Sequence, residues 1–342
     1  MINWYEGYTC RWSLFAVDTL TWADGEEVAG FQSAKITRSA DGSLIESGSF
    51  QFDGEPPEPG YYRLVLTARQ TGGYERVEVA TLLVQSTSAD INYRTQAGTI
   101  DGYSVLYPAN TRKLVDGSYC PAGVDAAQYV GELLRESINA PVVVDTSFYI
   151  NQPIVHDFGT TALNAAWEVL NVANAVLMID GNGTVHVTMP PNVSALDLDR
   201  VNARLIVPGV KCTRNISNVP NHYVSVGEFE TVEIWNREQG SEVSTVVRGY
   251  EVTTVDTSPT PMNGETLEAY TVRKMRESST VGERVTYKRE YMPGVGVYSV
   301  VYGSADVIGI DGNARIVKQS LDCSHGILIT EESERAVVLW QG

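Results

Sequence analysis

Basic side chains are scarce in this chain of 342 residues: 25 Lys and Arg stand against 42 Asp and Glu, a net charge of −17. Affinity for a phosphate backbone comes largely from Lys and Arg displacing counterions, so this balance argues against a nucleic-acid binder and disfavours docking on an anionic membrane. The acidity has no tail to sit in. Residues 1–100, 101–200 and 201–342 carry net charges of −6, −7 and −4, and no block of five like charges occurs. Cysteine is equally sparse. Cys10, Cys120, Cys212 and Cys323 are spread along the chain without a CxxC, which is neither a metal nor a disulfide spacing, so four buried, reduced thiols are expected. Long apolar runs are missing too. The stretch 175–179 stops at five residues, against roughly 20 needed to cross a bilayer, so no membrane-spanning segment is expected. The start, MINWYEGYTCRWSLF, places Glu6 where a secretory signal needs a basic residue, and export by that route is not expected.

What is present is the composition of an ordinary folded protein, 43% apolar and 20% charged, at a length that predicts two or three domains. Residues 11–17, 31–39, 48–53, 61–69 and 74–84 are rich in β-branched and aromatic side chains, and turn dipeptides such as Asp24-Gly25, Asp41-Gly42 and Gly72-Gly73 separate them. A change of period follows. Val130, Leu133, Leu134 and Ile138 share one helical face from Ala126 until Pro141 stops it, and a second helix is expected from Thr160 or Thr161 through Leu163, Ala166, Trp167, Leu170 and Ala173. Strands are expected after each, at 141–145, then at 175–179 and 184–188 around the turn Asp180-Gly181-Asn182-Gly183. Beyond Met189-Pro190-Pro191, strands return at 223–227, 232–237, 244–250, 284–291, 297–302, 315–321, 326–330 and 335–339, with one helix at 265–277. The expected fold class is a β-rich α+β multidomain protein. Two tube-like β-barrel domains, 1–100 and 196–342, bracket a small α/β domain at 101–195 that holds two amphipathic helices.

Chemistry is hard to place on this sequence. His156, His186, His222 and His325 are scattered without HExxH or HxH, so no metal ligand set is assigned. There is no GxSxG elbow, and Gly240-Ser241 lies in a polar turn. Gly294-Val295-Gly296 precedes a strand, so its amides do not sit at a helix start where phosphate binds. Asp180-Gly181-Asn182-Gly183 and Asp311-Gly312-Asn313 resemble the start of a calcium loop, but the twelfth residue from Asp180 is Pro191 rather than Glu. Both read as tight turns. Trp4, Tyr5, Tyr8 and Trp12 either pack on their own barrel or meet a sugar or protein partner. No catalytic, cofactor-binding or metal-binding residue is assigned, and no cofactor.

The order of motifs, however, resembles a family. Asn221-His222-Tyr223-Val224-Ser225-Val226-Gly227 opening a β domain, the helix ETLEAYTVRKMRE at 265–277, and the closing Ala314-Arg315-Ile316-Val317-Lys318-Gln319-Ser320-Leu321-Asp322 followed by Ser324-His325-Gly326 are similar to the baseplate hub, or tail-tip hub, proteins of tailed bacteriophages. So is the middle of the chain, where WEVLNVANA ends a helix that leads through a strand, the DGNG turn and a strand to MPP. The resemblance implies a non-enzymatic virion structural protein of the phage tail, made in the bacterial host cytoplasm. It implies a homotrimer whose six barrels adapt a six-fold tail tube to a three-fold tip or spike during genome ejection. Its partners would be the tail tube or distal-tail ring protein, the tape measure protein and the spike, tip or fibre proteins, with DNA passing through unbound. An acidic lumen would use the net charge, and no fused lysozyme or peptidase domain is expected after the last strand. Two alternatives stand beside it. A carbohydrate-binding or carbohydrate-cleaving tail protein would use the 18 Tyr, 6 Trp and many acids; a hexameric distal-tail ring would share the β-rich start, and the α/β module favours the hub over it.

Overall fold

Alternation of apolar and polar side chains builds the first sheet. In the strand Phe31–Ser39, Ala34, Ile36 and Arg38 are buried while Gln32 and Lys35 are exposed; in its antiparallel neighbour Glu46–Asp53, Glu46, Phe50 and Phe52 are buried. A computed structural model describes residues 2–54, 57–85, 88–92, 95–115, 117–198, 206–259, 261, 265–303, 312–324 and 328–340. His325 and Gly326 of the Ser324-His325-Gly326 motif, and Asp311 of the second Asp-Gly-Asn turn, lie outside the described residues.

The chain divides into two compact units, Met1–Val210 with Thr286–Ser333, and Lys211–Val285 with Glu334–Gly342. The segments 1–100, 101–195 and 196–342 are therefore interleaved, because residues 286–333 pack with the first two. Strand pairing gives the reason. In the larger unit, Gly312–Cys323 pairs antiparallel with Phe31–Ser39, placing Leu321 opposite Ile36, and Leu321, Cys323 and Ile329 join Ile36 and Phe50 in one core. From there the ladder continues through Glu46–Asp53, Thr95–Ser104, Gly73–Val84, Gly60–Gln70 and Thr9–Val17 to Asp24–Glu27. Thr95–Ser104 crosses the expected boundary at residue 100 as a single strand.

Strand Gly60–Gln70 does not alternate: Tyr61 to Leu66 are all buried, the mark of a strand covered on both faces. Tyr62, Leu64, Leu66 and Ala68 face one core with Leu14, Ile36, Phe50 and Leu82. Tyr61 belongs to the other core, with Trp22, Val105 and the helices Ala126–Arg135 and Ala162–Ala173. Each helix starts where a cap is available. Asp125 accepts from the Ala127 amide at 3.0 Å, Thr161 accepts from Asn164 at 3.2 Å, and Asn174 ends the second helix in the left-handed region. The first helix ends at Arg135, and Ile138 reaches the core from the turn beyond it. Val142–Val144 runs parallel to Val185–Thr188, which pairs antiparallel with Val176–Ile179.

In the smaller unit, His222–Val226 pairs antiparallel with Thr231–Trp235 and parallel with Thr253–Asp256. Helix Leu267–Ser278, capped by Thr266, brings Met275 against Tyr223 and Trp340. The strand expected at 244–250 is instead the short helix Thr245–Arg248. Ser244 caps it by accepting from the Val247 amide at 3.2 Å and Gly249, at φ 71°, ends it, so the β-branched pair Val246-Val247 stands exposed on a helical turn. The strands expected at 326–330 and 335–339 belong to one strand, Leu328–Val338, with residues 326 and 327 outside the described residues. The four thiols are free, but Cys212 is exposed and Cys10 half-buried, so only Cys120 and Cys323 meet the expectation of burial.

The larger unit also buries charge. Arg289 Nε and Nη2 donate to Glu331 Oε2 and Oε1 at 2.7 and 2.6 Å, with both side chains fully excluded from solvent. Gln319 Nε2 donates to Glu331 Oε1 at 2.6 Å, and the Tyr287 hydroxyl meets Ser333 Oγ at 3.1 Å. Burial, reinforced by the Glu331 charge, pushes the Tyr287 phenol far above its ordinary range. Removing one partner of such a pair strands the other charge, whereas replacing both by apolar groups of similar volume can be neutral. Glu331→Ala is expected to lower stability by about 3–5 kcal/mol in urea denaturation. Arg289→Met combined with Glu331→Leu should recover most of that loss.

Candidate functional site

The site begins at the turn 180–183 between strands Val176–Ile179 and Val185–Thr188. Asp180 Oδ1 accepts from the Thr184 amide at 2.8 Å, the Gly183 amide donates to Asp180 O at 2.9 Å, and Gly183 takes φ 80°. The turn lies against strand Gly73–Val84. A Cβ at Gly181 would sit 1.9 Å from the Glu78 carbonyl oxygen, so no larger residue fits without moving the backbone. Thr81 Oγ1 donates to Gly181 O at 3.0 Å, and Trp22 Nε1 donates to Asn182 O at 2.8 Å. Arg63, only 3% exposed, donates to Asn182 O at 3.1 Å, to Trp22 O at 3.2 Å and to Thr81 Oγ1 at 3.2 Å, and pairs with Asp24.

Beside the turn opens a cleft of about 420 Å³, within the size range of small-ligand pockets. Arg38 and Glu46 lie opposite each other in the sheet register and form a buried pair there, Arg38 Nε donating to Glu46 Oε1 at 2.8 Å. Arg38 Nη2 donates to the Val79 carbonyl. Glu46 Oε2 is buried and has no hydrogen-bond partner. Burial pushes the Glu46 carboxyl up against the lowering effect of Arg38, and the Asp180 carboxylate adds to the rise. At the rim His186 Nδ1 lies 2.7 Å from Asp145 Oδ2, and its Nε2 lies 3.5 Å from Asp180 Oδ2. Met178, Val297 and Tyr298 supply an apolar wall.

The sequence motifs fall on both sides of this result. The turn at Asp180 forms a structural seat, and Gly294-Val295-Gly296 lines the cleft. His156 is buried against Glu168 at 2.7 Å, and His222 contacts Glu251 at 2.7 Å while stacking on Trp235 at 3.6 Å; His325 lies outside the described residues. Among the described residues no three His, Cys, Asp or Glu are grouped to hold a metal ion, and no helix is long and apolar enough to cross a membrane. Ser241 is buried in a structural role, donating to Leu339 O at 2.8 Å. Trp4, Tyr8 and Trp12 pack on the sheet core, and the Tyr8 hydroxyl donates to Tyr291 O at 2.8 Å; Tyr5 stays exposed. The Arg38–Glu46 pair was not singled out from the sequence, although a signal exists: Arg38 falls in phase with the buried Ala34 and Ile36.

No protein-family model matches this chain, and no curated protein matches it in sequence. Solved structures do match it. The 43 kDa tail protein of prophage MuSo2 from Shewanella oneidensis is similar with a TM-score of 0.61 at 13% identity, over 94% of this chain and 97% of that one. A tail protein from Neisseria meningitidis MC58 gives a TM-score of 0.60 at 13% identity over 96% and 97%. A chain of the half-lidded Francisella PdpA-VgrG complex gives 0.56 at 9% identity, over 96% of this chain and 58% of that one. The fold is therefore that of phage tail proteins, a β-rich α+β multidomain architecture.

The rim histidine sets a pH dependence. Burial alone would lower the His186 pKa, but hydrogen bonds to Asp145 and Asp180, with their charges, together raise it above 6.5. A group raised on folding contributes stability that is complete below its unfolded value and lost as pH rises through the folded one. The stability of the natural chain relative to His186→Gln should fall as pH is raised from about 6.5. The change should stay below about 1 kcal/mol because the partners are exposed. Urea titrations of both proteins across that range measure it.

Proposed function

We propose that this chain is a structural hub of a phage tail: a homotrimeric ring that adapts the six-fold tail tube to a three-fold tip or spike. The observation that carries the reading is the end-to-end likeness of fold to two tail proteins, which leaves only a few per cent of either partner unmatched. In this reading the barrels of three copies form a ring around a central channel, and the channel passes the tape measure protein and then DNA. Its contacts are the tube or distal-tail ring above and the spike, tip or fibre proteins below. It works in the virion tail and catalyses no reaction.

Two features support it. Three copies carry a charge of −51, and carboxylates facing a channel repel phosphates within a Debye length of about 8–10 Å, so the genome slides without sticking. The ribbon formed by Tyr119–Cys120 and Ile154–Val155 pairs Val155 with Tyr119, and both side chains stand exposed, as does Phe158 beyond the ribbon. Exposed apolar groups of this kind suit contact with a second copy.

Native mass measurement of the purified chain, alone and mixed with its tube partner, tests the proposal. Three copies per particle are expected. Tyr119→Ser with Val155→Ser should weaken association about tenfold or more, on the order of 1.4 kcal/mol for the pair. Six copies would assign the distal-tail ring instead, and a lasting monomer that cleaves polysaccharide would assign the carbohydrate-active reading.

A further inference from the structure

The cleft beside the turn 180–183 has features that assembly does not need. Its floor holds Glu46, 2% exposed, whose Oε2 has no hydrogen-bond partner even though Arg38 lies within reach of the same carboxylate. Arg38 is committed elsewhere, through Nε to Oε1 and through Nη2 to Val79 O. A buried carboxylate oxygen left without a donor is costly, and of the buried side-chain atoms without a partner among the described residues this is the one whose residue lines the cleft. The surroundings fix the sign of a partner for it. Glu78, Asp145 and Asp180 also line the cleft, against Arg38 and His186. The Asp180 charge acts on Glu46 in the direction that disfavours its ionised form, so the two carboxylates share one field. A cation entering between them relieves both.

The walls fix the rest of the ligand. Met178, Val297 and Tyr298 form an apolar face that suits methylene groups and offers nothing to a hydrated metal ion. Two wall residues hold costly backbone conformations, Ile45 at φ 63° and Tyr298 at φ 70°. Tyr298 is pinned there by its hydroxyl donating to Ala40 O at 3.1 Å and its amide donating to Ile316 O at 2.8 Å. We propose that this cleft binds a primary alkylammonium group, its nitrogen donating to Glu46 Oε2 at the floor and its chain lying along Met178, Val297 and Tyr298. The ammonium belongs either to a free diamine or to a lysine side chain of a partner polypeptide. The inference stands independently of the tail-hub reading, since it concerns one chain.

Isothermal titration of the full chain with 1,4-diaminobutane at low salt tests it, beside an acetylated Gly-Lys-Gly amide, 1,4-butanediol and magnesium chloride. One saturable site per chain is expected for the diamine. Glu46→Gln should weaken it about tenfold or more, as loss of a charge-assisted partner does, and the uncharged diol should not bind. Asp145→Asn, at the exposed rim, should weaken binding several-fold with at most a small shift in thermal unfolding from its His186 hydrogen bond, which keeps the test valid should Glu46→Gln fold poorly. Equal binding of the lysine peptide assigns the site to a partner's side chain, and binding of the diamine alone assigns it to a free amine. Absence of saturable binding by both amines, affinity unchanged in the variants, or competition by magnesium at equal affinity overturns the proposal.

Discussion

The larger unit rests on one close approach, the seat of the turn 180–183 on strand Gly73–Val84. Gly181 comes so near the Glu78 carbonyl that a single added carbon would overlap it. Around that contact, Trp22, Arg63 and Thr81 donate to the carbonyls of the half-buried Gly181 and Asn182. Hydrogen bonds from a charged donor such as Arg63 contribute about 1.5–3 kcal/mol each, enough to hold a loop against a sheet. The contact also explains why strand Gly60–Gln70 is buried on both faces: one face closes the sheet core, and the other meets the core of the helices.

Polar groups inside this unit follow a single rule. Arg63, Arg38 and Arg289 are each buried, and each is matched to carboxylates and carbonyls of other strands and turns. Buried pairs of this kind add little net stability but penalise other registers heavily, because a slip of one residue turns each charge to the wrong face. Several buried side-chain atoms have no hydrogen-bond partner among the described residues, Gln319 Oε1 and Glu46 Oε2 among them, and of these Glu46 is the one that lines the cleft. The amine proposed for the cleft would supply the donor that Glu46 Oε2 lacks.

Much of this architecture could be read from the sequence. The strand at 31–39 and the helix start at Thr161 fall where alternation and capping place them, and the order of motifs led to the tail-protein fold that the structural likeness then gave. Long-range pairing could not be read. Nothing local tells that Leu321 lies opposite Ile36, so the interleaving of residues 286–333 with the first part of the chain emerged only in three dimensions. Local signals also misled where two β-branched residues, Val246 and Val247, sit between a Ser cap and a Gly stop, which turn the backbone into a short helix. The cleft was illegible for the same reason as the pairing: Glu46 and Asp180 are brought together only by the seated turn.

Amide hydrogen exchange on Gly181→Ala compared with the natural chain measures that seat directly. If the turn couples the sheet to the helical layer, protection should fall together in strand Gly73–Val84 and in helix Ala162–Ala173, by the equivalent of about 2–3 kcal/mol for a forced overlap. Loss confined to the turn and its two flanking strands, with both distant elements unchanged, would contradict the account.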